Sequence, residues 1–215
     1  MTDLRQTFAM TEDLIIAPGR LLLDDGPRTG MAVLLRAGRF AELGEAGALR
    51  ARHPDLKLVQ LPNHLMMPGF IDTHTHLTQS LGKSLVFGEP SEIFRRIWVP
   101  LEGSLNEDMV YLSSKLAALE CLRGGFTTAI DAGTRSAGHL GRLVDAARET
   151  GLRLVVAQIC NDLGGAVVVP NRTDILHLAE AHLATYQDDP LIHPSLAISI
   201  PEVASDVMLR EISDM

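Results

Sequence analysis

From Phe70 to Met215 the hydrophobic pattern alternates between two periods, and this alternation narrows the fold more than any other feature. "FIDTHTH" reads as a strand. "NEDMVYLSSKLAALECLRGG" follows with apolar residues at 109, 112, 116, 119 and 122, the spacing of a helix. Asn106 stands where an N-cap belongs, and Gly124 and Gly125 close the segment. "FTTAID" is a second strand, and "HLGRLVDAARETG" a second helix with Leu140, Leu143, Val144 and Ala147 on one face. "LRLVVAQIC" has the near-continuous apolar character of a strand covered on both sides. "TDILHLAEAHLATYQ" is a third helix, "SLAISI" a fourth strand, and Ser205 caps "DVMLREISDM".

Strand–helix units in succession imply a parallel sheet with helices packed outside it. Both a doubly wound open sheet and a (β/α) barrel satisfy the pattern. The stretch is well short of the roughly 250 residues of a complete eight-unit barrel. The preceding residues have another rhythm. "DLIIAP", "MAVLLR", "RFAEL" and "LKLVQL" are short apolar runs broken by Gly, Pro and Asp, with a hairpin turn expected at Arg36-Ala37-Gly38. "EAGALRARHP" reads equally as a short helix or a loop, ended by Pro54.

With 46% hydrophobic residues the chain can bury a core, and its net charge of −8 excludes some partners. The only basic cluster is the Arg95–Arg96 pair, so no nucleic acid or membrane surface is expected as a partner. No apolar run is long enough to span a bilayer, and "MTDLRQTFAMTEDLIIAPGR" lacks the continuous apolar core of a signal peptide. Cys121 and Cys160 read as buried thiols of a reducing compartment, so the expected location is the cytoplasm.

His74 and His76 carry the clearest chemistry. Residues i and i+2 of a strand share a face, so both imidazoles project together, with Thr75 on the other side. They also fall at the C-terminal end of their strand, where parallel α/β folds build active sites. Two ligands do not complete a catalytic zinc site, which takes three protein ligands and a water. His53 and His64 belong to the N-terminal segment, and His193 precedes strand four at the opposite end. His177 and His182 are expected on the helix surface. His139, after strand two, is the best internal candidate for a third ligand.

"LPNHLMMPGFIDTHTHLTQ" resembles the barrel entry of the amidohydrolase superfamily, where a β-sandwich module precedes a PG-φ-φ-D/N-x-H-x-H segment. "IWVPLEGSLNEDMVYLSSKLAALECLRGGFTTAID", "VDAARETGLRLVVAQI" and "IPEVASDVMLREI" resemble later parts of that barrel in the same order. The similarity is nearest to the cytosine/guanine deaminase and triazine hydrolase branch. It implies a small β-sandwich module over residues 1–65 and the first half of a TIM-type (β/α)8 barrel over 66–215, about four βα units.

The resemblance also implies site residues. His74 and His76 match the family's first two metal ligands, and Gln79 a substrate-contacting glutamine. No catalytic residue is assigned within the chain, because the family's later His, Glu and Asp are expected beyond residue 215. No lysine stands near strand four to bridge two metals, and Glu202 is the only carboxylate there, so one divalent ion is expected, zinc first with iron as the alternative. Ser199 replaces a histidine found in some of these deaminases, which points away from adenosine-type substrates.

The implied reaction is attack by a metal-activated water on a C–N bond of a small N-heterocyclic substrate. A ring-opening hydrolase and a non-catalytic binding protein are the alternatives. The 215 residues alone are expected to be inactive and, with uncovered strand edges, to self-associate, compatible with a homo-oligomer.

Overall fold

A computed structural model describes residues 12–89, 92–136, 140–164 and 171–215. The chain divides into two compact units, Met1–Pro68 and Gly69–Met215. Among the described residues no helix is long and apolar enough to cross a membrane.

The first unit is a five-stranded sheet of β1 (Leu14–Leu23), β2 (Gly26–Arg28), β3 (Met31–Arg36), β4 (Arg39–Glu45) and β5 (Lys57–Met66). The order is β2-β1-β3-β4, with β5 running parallel to β1. Two-residue alternation along β1 sends Ile15 to a cluster with Ala32, Leu34 and Leu49, and Leu14 and Ile16 to another with Val59. Leu49 belongs to helix α1 (Ala46–Arg52), so the ambiguous "EAGALRARHP" segment is helical. The expected hairpin turn is present: Arg36 pairs with Arg39 across Ala37 and Gly38, which have φ of 49° and 72°. Two left-handed residues in a two-residue loop match the twist of the flanking strands. Asp13 steadies Ala37 in that conformation by accepting its N–H at 3.1 Å.

The second unit holds four parallel strands, β6 (Phe70–Thr75), β7 (Phe126–Asp131), β8 (Arg153–Ile159) and β9 (Ile192–Ala197), in chain order across the sheet. With no reversal of order there is no topological switch point. Right-handed crossovers then carry every helix to the same face, which is barrel winding rather than double winding. The helices are α2 (Val99–Ser104), α3 (Glu107–Arg123), α4 (Leu140–Thr150), α5 (Arg172–Tyr186) and α6 (Asp206–Ser213). Val110, Ala117 and Ala118 of α3 and Leu143, Val144 and Ala147 of α4 pack on Ala129, Leu154, Val156 and Ile192 of the strands. Cys160, Ile175, Ala179 and Met208 form a second cluster under α5 and α6.

Asn106 caps α3 as expected, accepting the Met109 N–H at 2.9 Å. The face of α3 that goes inward is small: Val110, Ser113, Ser114, Ala117 and Ala118 are buried, while Met109, Leu112, Leu116 and Leu119 are exposed. His182 is a correction. Expected on the surface, it is buried and its Nε2 donates to the Val156 carbonyl at 2.9 Å. The adjacent residues Phe70 and Ile71 of β6 are 50% and 58% exposed.

Candidate metal centre

The backbone of β6 delivers both histidines to the C-terminal end of the sheet. Thr75 pairs with Asp131 of β7, and the Ala132 N–H donates to the Thr75 carbonyl at 3.0 Å, so the two strands remain paired to their last residues although the register shifts between Asp72 and Thr75. His74 and His76 flank Thr75. Their ring centroids lie 5.4 Å apart, with the planes nearly perpendicular at 88°. His74 is exposed and His76 half-buried.

His76 Nδ1 lies 3.0 Å from the Gly133 carbonyl oxygen. A carbonyl only accepts, so Nδ1 carries the hydrogen, and in the neutral ring Nε2 keeps the lone pair. A backbone acceptor behind one ring nitrogen is how proteins fix the tautomer and aim of a metal-ligating histidine. Gly133 suits that task because only glycine fits there. Its φ is +91°, and a Cβ would stand 2.6 Å from Ile159 Cγ1 and 2.9 Å from the Ala157 carbonyl oxygen.

Two buried carboxylates brace this corner, neither foreseen from the sequence. Asp131 accepts the Leu77 N–H at 2.7 Å and the Gly133 N–H at 2.8 Å, tying the exits of both strands together. Burial pushes its carboxyl above the usual range, with Glu102 adding to the rise and the two N–H groups and His76 opposing it. Glu102 is wholly buried. One of its oxygens accepts from Thr78 Oγ1 and Gln79 Nε2, each at 3.1 Å, and the other from the Arg135 N–H at 3.2 Å and its guanidinium at 2.8 Å. The Arg135 guanidinium lies 4.4 Å from the centre of the Phe94 ring. Gln79 is therefore anchored through its amide nitrogen, in the 3-10 segment Leu77–Val86 that follows the histidine pair. A lone glutamate inside the apolar run "IWVPLEG" was the available signal for Glu102.

The remaining candidates are elsewhere. His139 lies outside the described residues. Among the described residues no group of three or more His, Cys, Asp and Glu side chains converges as a complete metal site. The Cys160 thiol, pushed up to about 11 by burial, is no thiolate ligand at neutral pH. Glu202 is exposed on a 3-10 turn, Pro201–Val203. What is present fits two of a zinc ion's ligands: paired imidazoles at a strand end, one of them with its tautomer fixed.

The sequence pattern of the Amidohydrolase family matches residues 65–215, and the chain belongs to that family. It is 30% identical over 207 residues to a 5-methylthioadenosine/S-adenosylhomocysteine deaminase of Syntrophobacter fumaroxidans, covering 94% of this chain and 46% of the relative. Its fold is shared by a zinc-bound adenosine deaminase from Xanthomonas campestris, with TM-score 0.81, 20% identity, and coverage of 96% of this chain and 47% of that one. A guanine deaminase from C. acetobutylicum with bound guanine gives TM-score 0.79, 17% identity, and coverage of 94% and 50%. The chain spans about half the length of the relatives it matches.

In the structure Ser199 has a local task. Its N–H donates to Asn161 Oδ1 at 3.0 Å and its hydroxyl accepts from Asn161 Nδ2 at 2.9 Å, joining the exits of β8 and β9.

Proposed function

We propose that this chain is the N-terminal part of a cytoplasmic, metal-dependent aminohydrolase that attacks a C–N bond of a purine-like heterocycle. The observation that carries the reading is the His76–Gly133 hydrogen bond with His74 in ring contact, because it leaves His76 Nε2 as the ligating nitrogen. His74 and His76 would hold one divalent ion, zinc in first place. When bound, such an ion lowers the pKa of a coordinated water toward 7 and so supplies a hydroxide nucleophile at neutral pH. The chain's own residues prepare the place for it. Asp131 holds the Leu77 and Gly133 backbones still, which keeps the acceptor behind His76 in position. Glu102 grips the amide nitrogen of Gln79, leaving its carbonyl oxygen to accept from a ring N–H of the substrate. Support for a purine-like substrate comes from what the relatives are named to act on.

Zinc titrated calorimetrically into the 215-residue chain tests the metal assignment. The expected result is saturable binding that His74→Ala and His76→Ala each weaken by at least about tenfold. No binding, or binding indifferent to both substitutions, overturns it. The reaction is tested on the complete gene product with a panel of aminopurines and cyclic amides: ammonia release supports deamination, and ring opening supports the alternative hydrolase.

A further inference from the structure

The cluster around Glu102 of α2 fixes the direction of a side chain as well as its place. The carboxylate accepts two hydrogen bonds on each oxygen: Thr78 Oγ1 and Gln79 Nε2 on one, the Arg135 N–H and guanidinium on the other. The Ser136 hydroxyl donates to the Glu102 carbonyl at 2.8 Å, and Arg135, only 17% exposed, lies over the Phe94 ring. A guanidinium only donates and a carboxylate only accepts, which obliges Gln79 to meet Glu102 through its amide nitrogen. The Gln79 N–H also donates to the His76 carbonyl at 3.1 Å, tying this residue to the candidate metal ligand.

We propose that the Arg135–Glu102 pair sets the polarity of Gln79 and through it the substrate class: aminoheterocycles in the lactam form, with a ring N–H beside the amine-bearing carbon. This deepens the aminohydrolase reading and rests on it. With its nitrogen held by Glu102, Gln79 offers the ring only a carbonyl oxygen. An adenosine-type ring has a bare nitrogen beside its amine-bearing carbon, and two acceptors facing each other leave both unpaired. A site built around a substrate N–H rejects the analogue that lacks it. Glu102 and Arg135 are positioning residues, acting on the ring only through Gln79. Neutralising Glu102 reverses the choice. In Glu102→Gln the Arg135 donors claim the oxygen of the new amide, so its NH2 turns toward Gln79. Gln79 then rotates to accept that bond, and an N–H faces the ring instead.

Two measurements test it, the first independent of any reaction. In nitrogen-15 spectra of the 215-residue chain, the side-chain N–H groups of Gln79 should exchange with solvent at least about tenfold more slowly than those of Gln60, exposed on β5. Glu102→Gln should remove the difference. Equal exchange in the parent overturns the proposal whatever the chain catalyses. In the complete gene product, ammonia release is compared for guanine, which has the ring N–H, and 2-aminopurine, which lacks it. The guanine to 2-aminopurine ratio of kcat/KM should fall at least about tenfold in Glu102→Gln and in Gln79→Met. A merely structural loss lowers both values together and leaves the ratio alone. An unchanged ratio, or release from adenosine and not from guanine, overturns the proposal and leaves the aminohydrolase reading standing. Release from none of the three overturns the purine-type aminohydrolase reading and the substrate class drawn from it. Should Glu102→Gln fail to fold, Gln79→Met decides alone.

Discussion

The two strand pairs of the β/α unit end in different chemistry. At the exits of β6 and β7, Asp131 and Glu102 are wholly buried and hold backbone N–H groups, Thr78, Gln79 and Arg135 around the histidine pair. At the exits of β8 and β9 the ties are mostly neutral. Asn161 and Ser199 exchange two hydrogen bonds, and the Leu163 N–H donates to the Val203 carbonyl at 3.0 Å. Asp162, a carboxylate at the same exits, is only half-buried and accepts the Ser205 N–H at 2.7 Å and its hydroxyl at 2.6 Å. Buried charge is costly unless fully paired, whereas an amide–hydroxyl latch joins two loops at little cost. The costly arrangement stands where ligand geometry has to be held; the cheap one stands where loops only need to be closed.

Removing one partner from each corner should therefore have unequal consequences. Glu102→Ala leaves the Arg135 guanidinium, whose side chain is 17% exposed, without its counter-charge, and strands the donors of Thr78 and Gln79. The expected loss is about 3–5 kcal/mol in urea unfolding at unchanged slope. A loss below about 1 kcal/mol, the worth of an ordinary hydrogen bond, would erase the contrast between the corners. Ser205→Ala should cost about 1–2 kcal/mol, since its hydroxyl both accepts the Met208 N–H as the cap of α6 and donates to Asp162. Asn161→Ala, which opens the latch to Ser199, should cost about 1 kcal/mol in the same assay. If Asn161→Ala matched Glu102→Ala, burial of charge would not be what separates the two corners.

The contrast was only half visible beforehand. Strands and helices were legible because their periods are local, and the histidine pair because i and i+2 of a strand share a face whatever the tertiary structure. Winding was legible only through the family resemblance, since strand order depends on contacts between residues far apart in the chain and local periods do not show it. In α3 the leucine spacing marked a helix but not its direction. Close packing on the strands took Ser113, Ser114, Ala117 and Ala118, and the long side chains were turned out. Glu102 was overlooked because a lone glutamate is usually solvated, although its setting in an apolar run was a clue. His182 was readable: it lies seven residues after Ile175 and three after Ala179, on the same buried helix face.

That histidine supplies the smallest expected effect and the sharpest check on the neutral corner. His182 sits beneath β8, with Nε2 donating to the Val156 carbonyl and its ring 5.3 Å from that of Tyr186. Burial is the main influence on its pKa and pushes it below the ordinary histidine value, while the bond to Val156 pulls the other way. The folded state thus holds a neutral imidazole at a pH where the unfolded chain has begun to take up a proton. Stability from this group is complete above the ordinary histidine pKa of about 6.5 and is lost as pH falls toward the lower folded value. Urea midpoints measured from neutral to mildly acidic pH should therefore fall with pH in the parent. In His182→Gln, which keeps an N–H for Val156 but does not titrate, this part of the slope should vanish. A slope unchanged by the substitution would show that the acid sensitivity does not come from this histidine.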